Sequence, residues 1–376
     1  MKPVRLTHVT AVTALGDLDS TYKRLMNGET GIAPVDRFST SEYPAHIAAC
    51  IRDLSFSPSE SMIQGILNKI LSGIPGLPKD TLVITATTKG GIDILEQWCR
   101  GDQVDLAETF PSSISHAVSG KFGLMNSGFN ISAACASSAI AVSQGAMLIS
   151  SGRFEVVLVL CLDLVTEFVF SGFSALQILS PTPSKPFDRN RCGLSLGEGG
   201  AAILMMSEDR ALHAGYPCMA RIMGWGIAGD ASHITAPARD GKGLASAIRR
   251  AIRKSGLNAD DVSAIHAHGT GTIYNDEMEL AAFQDALKNR GIPIHSIKGS
   301  IGHTLGAAGG IEIAVSVKSL QTETLPPTVG FEIPMESAQG RISSNSISLD
   351  GNVILTTNSG FGGINAAVIL KKGENS

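Results

Sequence analysis

Strand-like and helix-like stretches alternate along the 376 residues of this chain, and they do so twice, which confines it to the layered α/β architectures. In the first pass, residues 4–15 (VRLTHVTAVTAL) alternate as a strand and 18–26 take helical spacing. Residues 58–72 then put Met62, Ile63, Ile66, Leu67, Ile70 and Leu71 on one face of a helix. A strand at 81–87, a helix at 92–99, a buried strand at 155–162, a short helix at 172–179, a glycine-rich turn and strand at 193–206 and a helix at 208–214 follow. Beyond Gly215-Tyr216-Pro217 the order repeats, with strands at 219–226, 262–266 and 294–297, helices at 244–255, 276–288 and 307–320, and a terminal strand pair around 353–357 and 366–370. Two halves of similar rhythm read as an internal duplication, residues 1–214 and 215–376.

Composition removes several classes of function. Hydrophobic residues make up 43% and charged residues 17%, so the chain has much interior and disorder is not expected. The longest apolar run, 156–162 (VVLVLCL), is too short to cross a bilayer, and polar residues from Thr7 to Asp17 interrupt the apolar stretch a signal peptide needs. The expected setting is therefore cytoplasmic, without membrane insertion. A formal charge of −4 and the lack of a long basic run give no footprint for nucleic acid. The six cysteines show neither CxxC pairs nor metal-ligand spacing, so no metal and no disulfide framework is expected.

One cysteine stands apart. In 130–138 (NISAACASS) a β-leaning stretch ends at Cys135, and small residues run on as a helix. A cysteine on the first turn of a helix feels unpaired N–H groups and the positive end of the macrodipole, which favour its thiolate. Small neighbours also let a thioester come close. A free cysteine is equally a common core residue, so Cys135 alone decides nothing. Glycine-flanked turns at 266–272 (HAHGTGT), 298–310 (KGSIGHTLGAAGG) and 360–363 (GFGG) each follow an expected strand, and such turns carry side chains to the sheet edge where α/β proteins bind ligands.

Together these stretches resemble the elongating β-ketoacyl-acyl-carrier-protein synthases, condensing enzymes of the thiolase superfamily. The resemblance rests on Cys135 in AACASSA, His268 in AHGTGT, Lys298 and His303 in KGSIGHTLGAAGGIE, and Phe361 in GFGGIN, supported by GETGI at 28–32, KPFD at 185–188, LGEGG at 196–200 and HITAP at 233–237. It implies a thiolase-like five-layered αβαβα fold from two duplicated halves. It also implies that Cys135 holds the acyl chain while His268 and His303 donate to the malonyl thioester oxygen. By the same resemblance, the N–H groups of Cys135 and Phe361 would form the oxyanion hole, with Phe361 also a gate. Lys298 and Glu312 match a supporting ion pair, and Thr270 and Thr272 the positions that meet the phosphopantetheine arm. Lys185, Arg189 and Arg191 fall on a loop that matches a carrier-contacting region. No resident cofactor is implied, because phosphopantetheine arrives on the acyl carrier protein.

Two histidines separate this pattern from initiating synthases, which pair histidine with asparagine, and the lack of a second catalytic cysteine separates it from degradative thiolases. Departures from the elongating pattern are Ser359 before GFGG, Ile364 after it, Lys89 ahead of Gly90-Gly91 near the acyl pocket, and a short interval from Gly91 to Cys135. They point to a specialised synthase for a polyketide or an aryl polyene. The alternative is a non-catalytic chain-length factor in a ketosynthase heterodimer, a subunit that usually lacks the cysteine. The expected partners are thus an acyl carrier protein and either a second copy or a chain-length factor.

Overall fold

The computed structural model describes residues 2–54, 60–288 and 291–373; Pro58 and Ser59, the start of one expected helix, lie outside them. Ten strands form one continuous path: β1 Val4–Thr13, β2 Leu82–Ala86, β3 Phe129–Ile131, β4 Val156–Asp163, β5 Gly199–Ser207, β6 Ala220–Gly229, β7 Ala264–His266, β8 Ile294–His295, β9 Val353–Gly360 and β10 Ile364–Lys372. The principal helices are α1 Met62–Leu71, α2 Pro111–Phe122, α3 Ser137–Ser150, α4 Glu167–Ala175, α5 Lys242–Ser255, α6 Ile273–Leu287 and α7 Ala308–Thr322.

Topology makes the duplication explicit. The first half runs β1-β5-β4-β2-β3 across its sheet and the second β6-β10-β9-β7-β8, so each places its first strand beside its last, then its fourth, second and third. In both, the first two neighbour pairs are antiparallel and the outer two parallel. The half-sheets touch through one short ladder, Val4 to Ile222, Arg5 to Arg221 and Leu6 to Ala220. The chain passes between halves within 208–219, which contains the expected seam.

Between the third and fourth strands each half inserts a helix, α3 in one and α7 in the other. These two pack on each other and on strands of both halves, so they form the middle layer, while α1 and α2 cover one outer face and α5 and α6 the other. A helix enclosed on all sides needs no polar face. Accordingly α7 buries every residue from Ala308 to Val317. The GAAGG run serves this packing: a side chain on Gly310 would meet Cys161 Sγ at 2.6 Å, and one on Gly309 would meet the backbone N of Ala139 at 3.0 Å. Glycine here lets the middle helices and strands close up.

Two helices depart from the sequence reading. Helix α2 has no apolar stripe, because serines 112, 113, 115 and 119 occupy much of it; its marks are Pro111 at the first turn and Gly123 in the left-handed conformation (φ 61°) at its end. Helix α4 begins at Glu167, five residues before the expected start at Gly172, because the Thr166 hydroxyl caps it by accepting from Val169 N–H. No helix among the described residues is long and apolar enough to cross a membrane.

Candidate active site

Cys135 sits one residue before the N-cap Ala136 of α3, not on the helix's first turn. The chain turns sharply from β3 because Ala134 takes φ 48°, a left-handed conformation costly for an alanine. Ser137 braces the elbow: its hydroxyl donates to the Ala134 carbonyl (2.6 Å) and accepts from Ala133 N–H (2.8 Å). The sulfur is thus presented ahead of the helix, on a residue that is 7% exposed. Burial pushes the Cys135 thiol up to about 11, against the pull of Lys89 and Lys298 and of the Phe361 N–H that donates to Sγ. The resting group is the thiol, contrary to the expectation from the helix terminus, because the cost of desolvating the anion wins. Alkylation of Cys135 by iodoacetamide should therefore accelerate by about tenfold per pH unit from pH 7 to 10, followed by peptide mass mapping; a rate that levels off below pH 8 would contradict this.

His268 and His303 stand edge to face, ring centroids 5.0 Å apart, both 2% exposed. Their hydrogen bonds assign their tautomers. Leu305 N–H donates to His303 Nδ1 (3.1 Å). Lys298 Nζ lies 3.3 Å from His268 Nδ1 and donates to its carbonyl at 2.6 Å. Each Nδ1 is therefore an acceptor, and each Nε2 carries the proton. Burial first, then the Lys298 charge, holds both imidazoles well below the usual histidine range, so they are neutral at pH 7.

Cys135 and one ligand atom from each imidazole lie within 4.8 Å of one another, a spacing that also invites a metal reading. A metal needs a bare ring nitrogen, whereas here both Nδ1 atoms accept from donors and both Nε2 atoms carry hydrogen. The trio is arranged to donate two hydrogen bonds beside a sulfur.

Behind the histidines, Lys298 pairs with Glu312, both side chains 2% exposed. Burial pushes the Glu312 carboxyl up and Lys298 draws it back. Three further buried carboxylates, none singled out by the sequence, hold the loops. Glu279 accepts from the N–H groups of His268 (2.8 Å) and Gly269 (2.7 Å), and Asp276 from those of Thr270 and Gly271. Asp163 ties Thr87 and Thr88 of the first half to Gly306 N–H of the second. The only available signal was the three-residue spacing of Asp276 and Glu279, which puts both on one face of α6.

A cavity of about 260 Å³ opens on this centre, lined by Cys135, His268, His303, Thr270, Thr272 and Phe361 among others. The structure thus brings Cys135, His268, His303, both threonines and Phe361 together. Thr270 and Thr272 share a hydroxyl contact of 2.8 Å, and Phe361 stacks on Phe173, centroids 5.9 Å apart. Ser359 also faces the cavity, its hydroxyl held by Asn365 Oδ1 at 2.7 Å.

Two expectations need correction. Lys89 does not line the cavity: its Nζ donates to Thr88 Oγ1 at 2.8 Å, and it bears on Cys135 and His303 through its charge alone. Arg191, 8% exposed, is not available to a carrier, since its guanidinium donates to the carbonyls of Asp188, Thr272 and Ile273 and to Glu277. Arg189 is exposed, and half-buried Lys185 pairs with Glu332 at 3.0 Å. Arg239, passed over in the sequence, lies over the ring of cavity-lining Tyr274 at 5.0 Å.

A buried thiol on a strained elbow, faced by two neutral imidazoles across the middle layer of a duplicated αβαβα fold, defines a thiolase-fold condensing enzyme. The chain belongs to the β-ketoacyl synthase family: the family's N-terminal domain matches residues 78–211 and its C-terminal domain residues 219–332. It is 30% identical to a 3-oxoacyl-[acyl-carrier-protein] synthase 2 of Synechocystis sp., over 99% of this chain and 98% of that one. It is 34% identical to the tetracenomycin polyketide synthase ketoacyl synthase alpha subunit of Streptomyces glaucescens, over 70% of this chain and 64% of that one. Among solved structures, the ishigamide ketosynthase/chain length factor superposes with a TM-score of 0.90 at 25% identity, over 99% of this chain and all of that one.

Proposed function

We propose that this protein extends an acyl chain by decarboxylative Claisen condensation, with Cys135 as acyl carrier and malonyl-acyl-carrier protein as extender. The observation that carries this reading is the meeting of Cys135 with two imidazoles whose Nδ1 atoms are each taken by a donor, which leaves Nε2–H as the free donor of each ring. In the first half-reaction Sγ attacks the incoming thioester, the acyl–sulfur bond to phosphopantetheine breaks, and the thiol proton passes to the departing sulfur. The Phe361 N–H, already directed at Sγ, and the Cys135 N–H stabilise the oxyanion. In the second, the bond from the malonyl carboxylate to the α-carbon breaks to release CO₂, and the electron pair becomes an enolate. His268 and His303 donate to its oxygen without giving up their protons. The enolate carbon attacks the acyl carbonyl, and collapse expels the Cys135 thiolate, which takes a proton from solvent. Positive charge from Lys298 behind His268 strengthens that donor. No resident cofactor is required, since phosphopantetheine comes with the carrier.

The carrier docks at the cavity mouth, where Arg239 over cavity-lining Tyr274 offers positive charge to an acidic partner, with exposed Arg189 a further basic residue on the loop that matches a carrier-contacting region. The outer side of end strand β3 is open; Phe129 (38% exposed) begins it, and exposed Phe110 (63%) and Met125 (72%) lie in the chain leading up to it, apolar surface suited to a second ketosynthase-like subunit. That subunit is either another copy or a chain-length factor. Retention of Cys135 and both histidines makes this chain the active partner. Its six free cysteines suit the reducing cytoplasm. The likeness to polyketide ketosynthases favours a polyketide or polyene product over housekeeping fatty acids.

Intact-mass analysis after exposure to a panel of acyl carriers tests the reading. A Cys135-linked adduct that disappears in Cys135→Ala supports it, and preference for unsaturated or short starters supports the specialised pathway. Equal turnover of long saturated carriers sinks the pathway assignment, and no adduct from any carrier returns the chain to the chain-length-factor class.

A further inference from the structure

Asn358, on β9, is fully buried and lies between two members of the site. Its Nδ2 donates to Glu312 Oε2 at 2.7 Å and lies 3.4 Å from His268 Nδ1. The orientation of this amide is set by charge: Oδ1 cannot face the Glu312 carboxylate, so the NH₂ must, and Oδ1 is left buried without a partner. One amide hydrogen is then used by Glu312, and the second has His268 Nδ1 as its acceptor.

Lys298 Nζ addresses the same two groups, Glu312 and His268, from its own helix. Its three hydrogens are shared among Glu312, the His268 carbonyl and His268 Nδ1, so it holds the ring at the longest of its contacts. We infer that Asn358 is a positioning residue for the condensation step, fixing His268 as an Nε2–H donor by presenting an amide N–H to Nδ1 from the face opposite the cavity.

Without that amide the ring has one weak donor on Nδ1. It can turn, or shift its proton from Nε2 to Nδ1 and donate to Glu312 instead, and either change removes a hydrogen bond from the enolate oxygen. Acyl loading of Cys135, which uses backbone N–H groups, is untouched. The inference rests on the condensing-centre reading. Loading and condensation are measured separately, so a wild-type enzyme that never loads sinks that reading, while a variant with no selective defect sinks only the role of Asn358.

The experiment compares wild type, Asn358→Ala and the isosteric Asn358→Asp. Loading is read by intact mass, discharge of acyl-Cys135 by malonyl carrier is read by product, and all are followed from pH 5.5 to 8.5 with thermal midpoints recorded. Asn358→Ala should slow discharge about tenfold with loading unchanged, the loss expected of one weakened donor. In Asn358→Asp a second carboxyl faces Glu312. The first proton taken up is held between the two carboxyls, and only a second puts an O–H on Nδ1, so discharge should recover as pH falls through both steps, a response that wild type lacks. Equal slowing of loading and discharge in Asn358→Ala, or a discharge defect in Asn358→Asp that does not respond to pH, would overturn the assignment. If the alanine variant fails to fold, the aspartate variant decides alone.

Discussion

His303→Ala is expected to accept an acyl group on Cys135 at the wild-type rate and to discharge it to malonyl carrier 10² to 10³ times more slowly, about the loss seen when one of two oxyanion donors is removed. The separation follows from geometry. His303 lines the cavity with Nε2–H, while its Nδ1 is committed to Leu305 N–H, so its free donor is available only to the oxygen that becomes negative during decarboxylation. The substitution also leaves the Leu305 N–H without its acceptor, a cost of about 1–3 kcal/mol, so melting temperature is recorded beside the two half-reactions. Parallel loss of loading and discharge would mean that His303 acts in acyl transfer, which the neutral donor assignment does not allow.

The second large effect is on stability. Lys298 and Glu312 are each 2% exposed and share an ion pair, so Lys298→Met or Glu312→Leu strands one charge in the interior. Each should cost about 3–5 kcal/mol in urea unfolding. The double variant, with no charge left to strand, should be more stable than either single one, yet it should still discharge slowly to malonyl carrier, because His268 Nδ1 loses its cationic donor. A double variant no more stable than the worse single one would show that the pair contributes packing rather than mutual neutralisation. Glu312 also carries the Asn358 bond, so Glu312→Leu should slow discharge as well.

Periodicity carried much of the fold. The helices Leu18–Met26 and Ile92–Cys99 match their expected limits to the residue, and the doubled rhythm of strands corresponds to two halves with one strand order. Helix α2 escaped because serines replace an apolar stripe where the helix lies on the outer surface of the sheet. In the site, Cys135, His268 and His303 were legible because each stands in a run of small residues or glycines that only close approach explains. The elbow was not: nothing in AACASSA distinguishes an alanine with positive φ from one in a helix, so Cys135 was placed on the first turn instead of just before the N-cap. Arg191 was misread for a related reason. A loop arginine looks solvated in sequence, and its carbonyl partners at Thr272 and Ile273 arrive from the start of α6, some 80 residues on. The carboxylates Asp163, Asp276 and Glu279 and the amide of Asn358 were likewise invisible, because what they hold is backbone N–H groups and ring nitrogens whose positions only the fold defines.

The most direct test of the account is a single turnover. Wild-type protein acylated on Cys135 is freed of excess acyl carrier and mixed with malonyl carrier, and enzyme and carrier masses are followed together. The account predicts that each acyl group lost from Cys135 reappears on the carrier as a β-ketoacyl chain, with one CO₂ released per chain. An adduct that persists in the presence of malonyl carrier, or that leaves as free acid while the carrier stays malonylated, would contradict it.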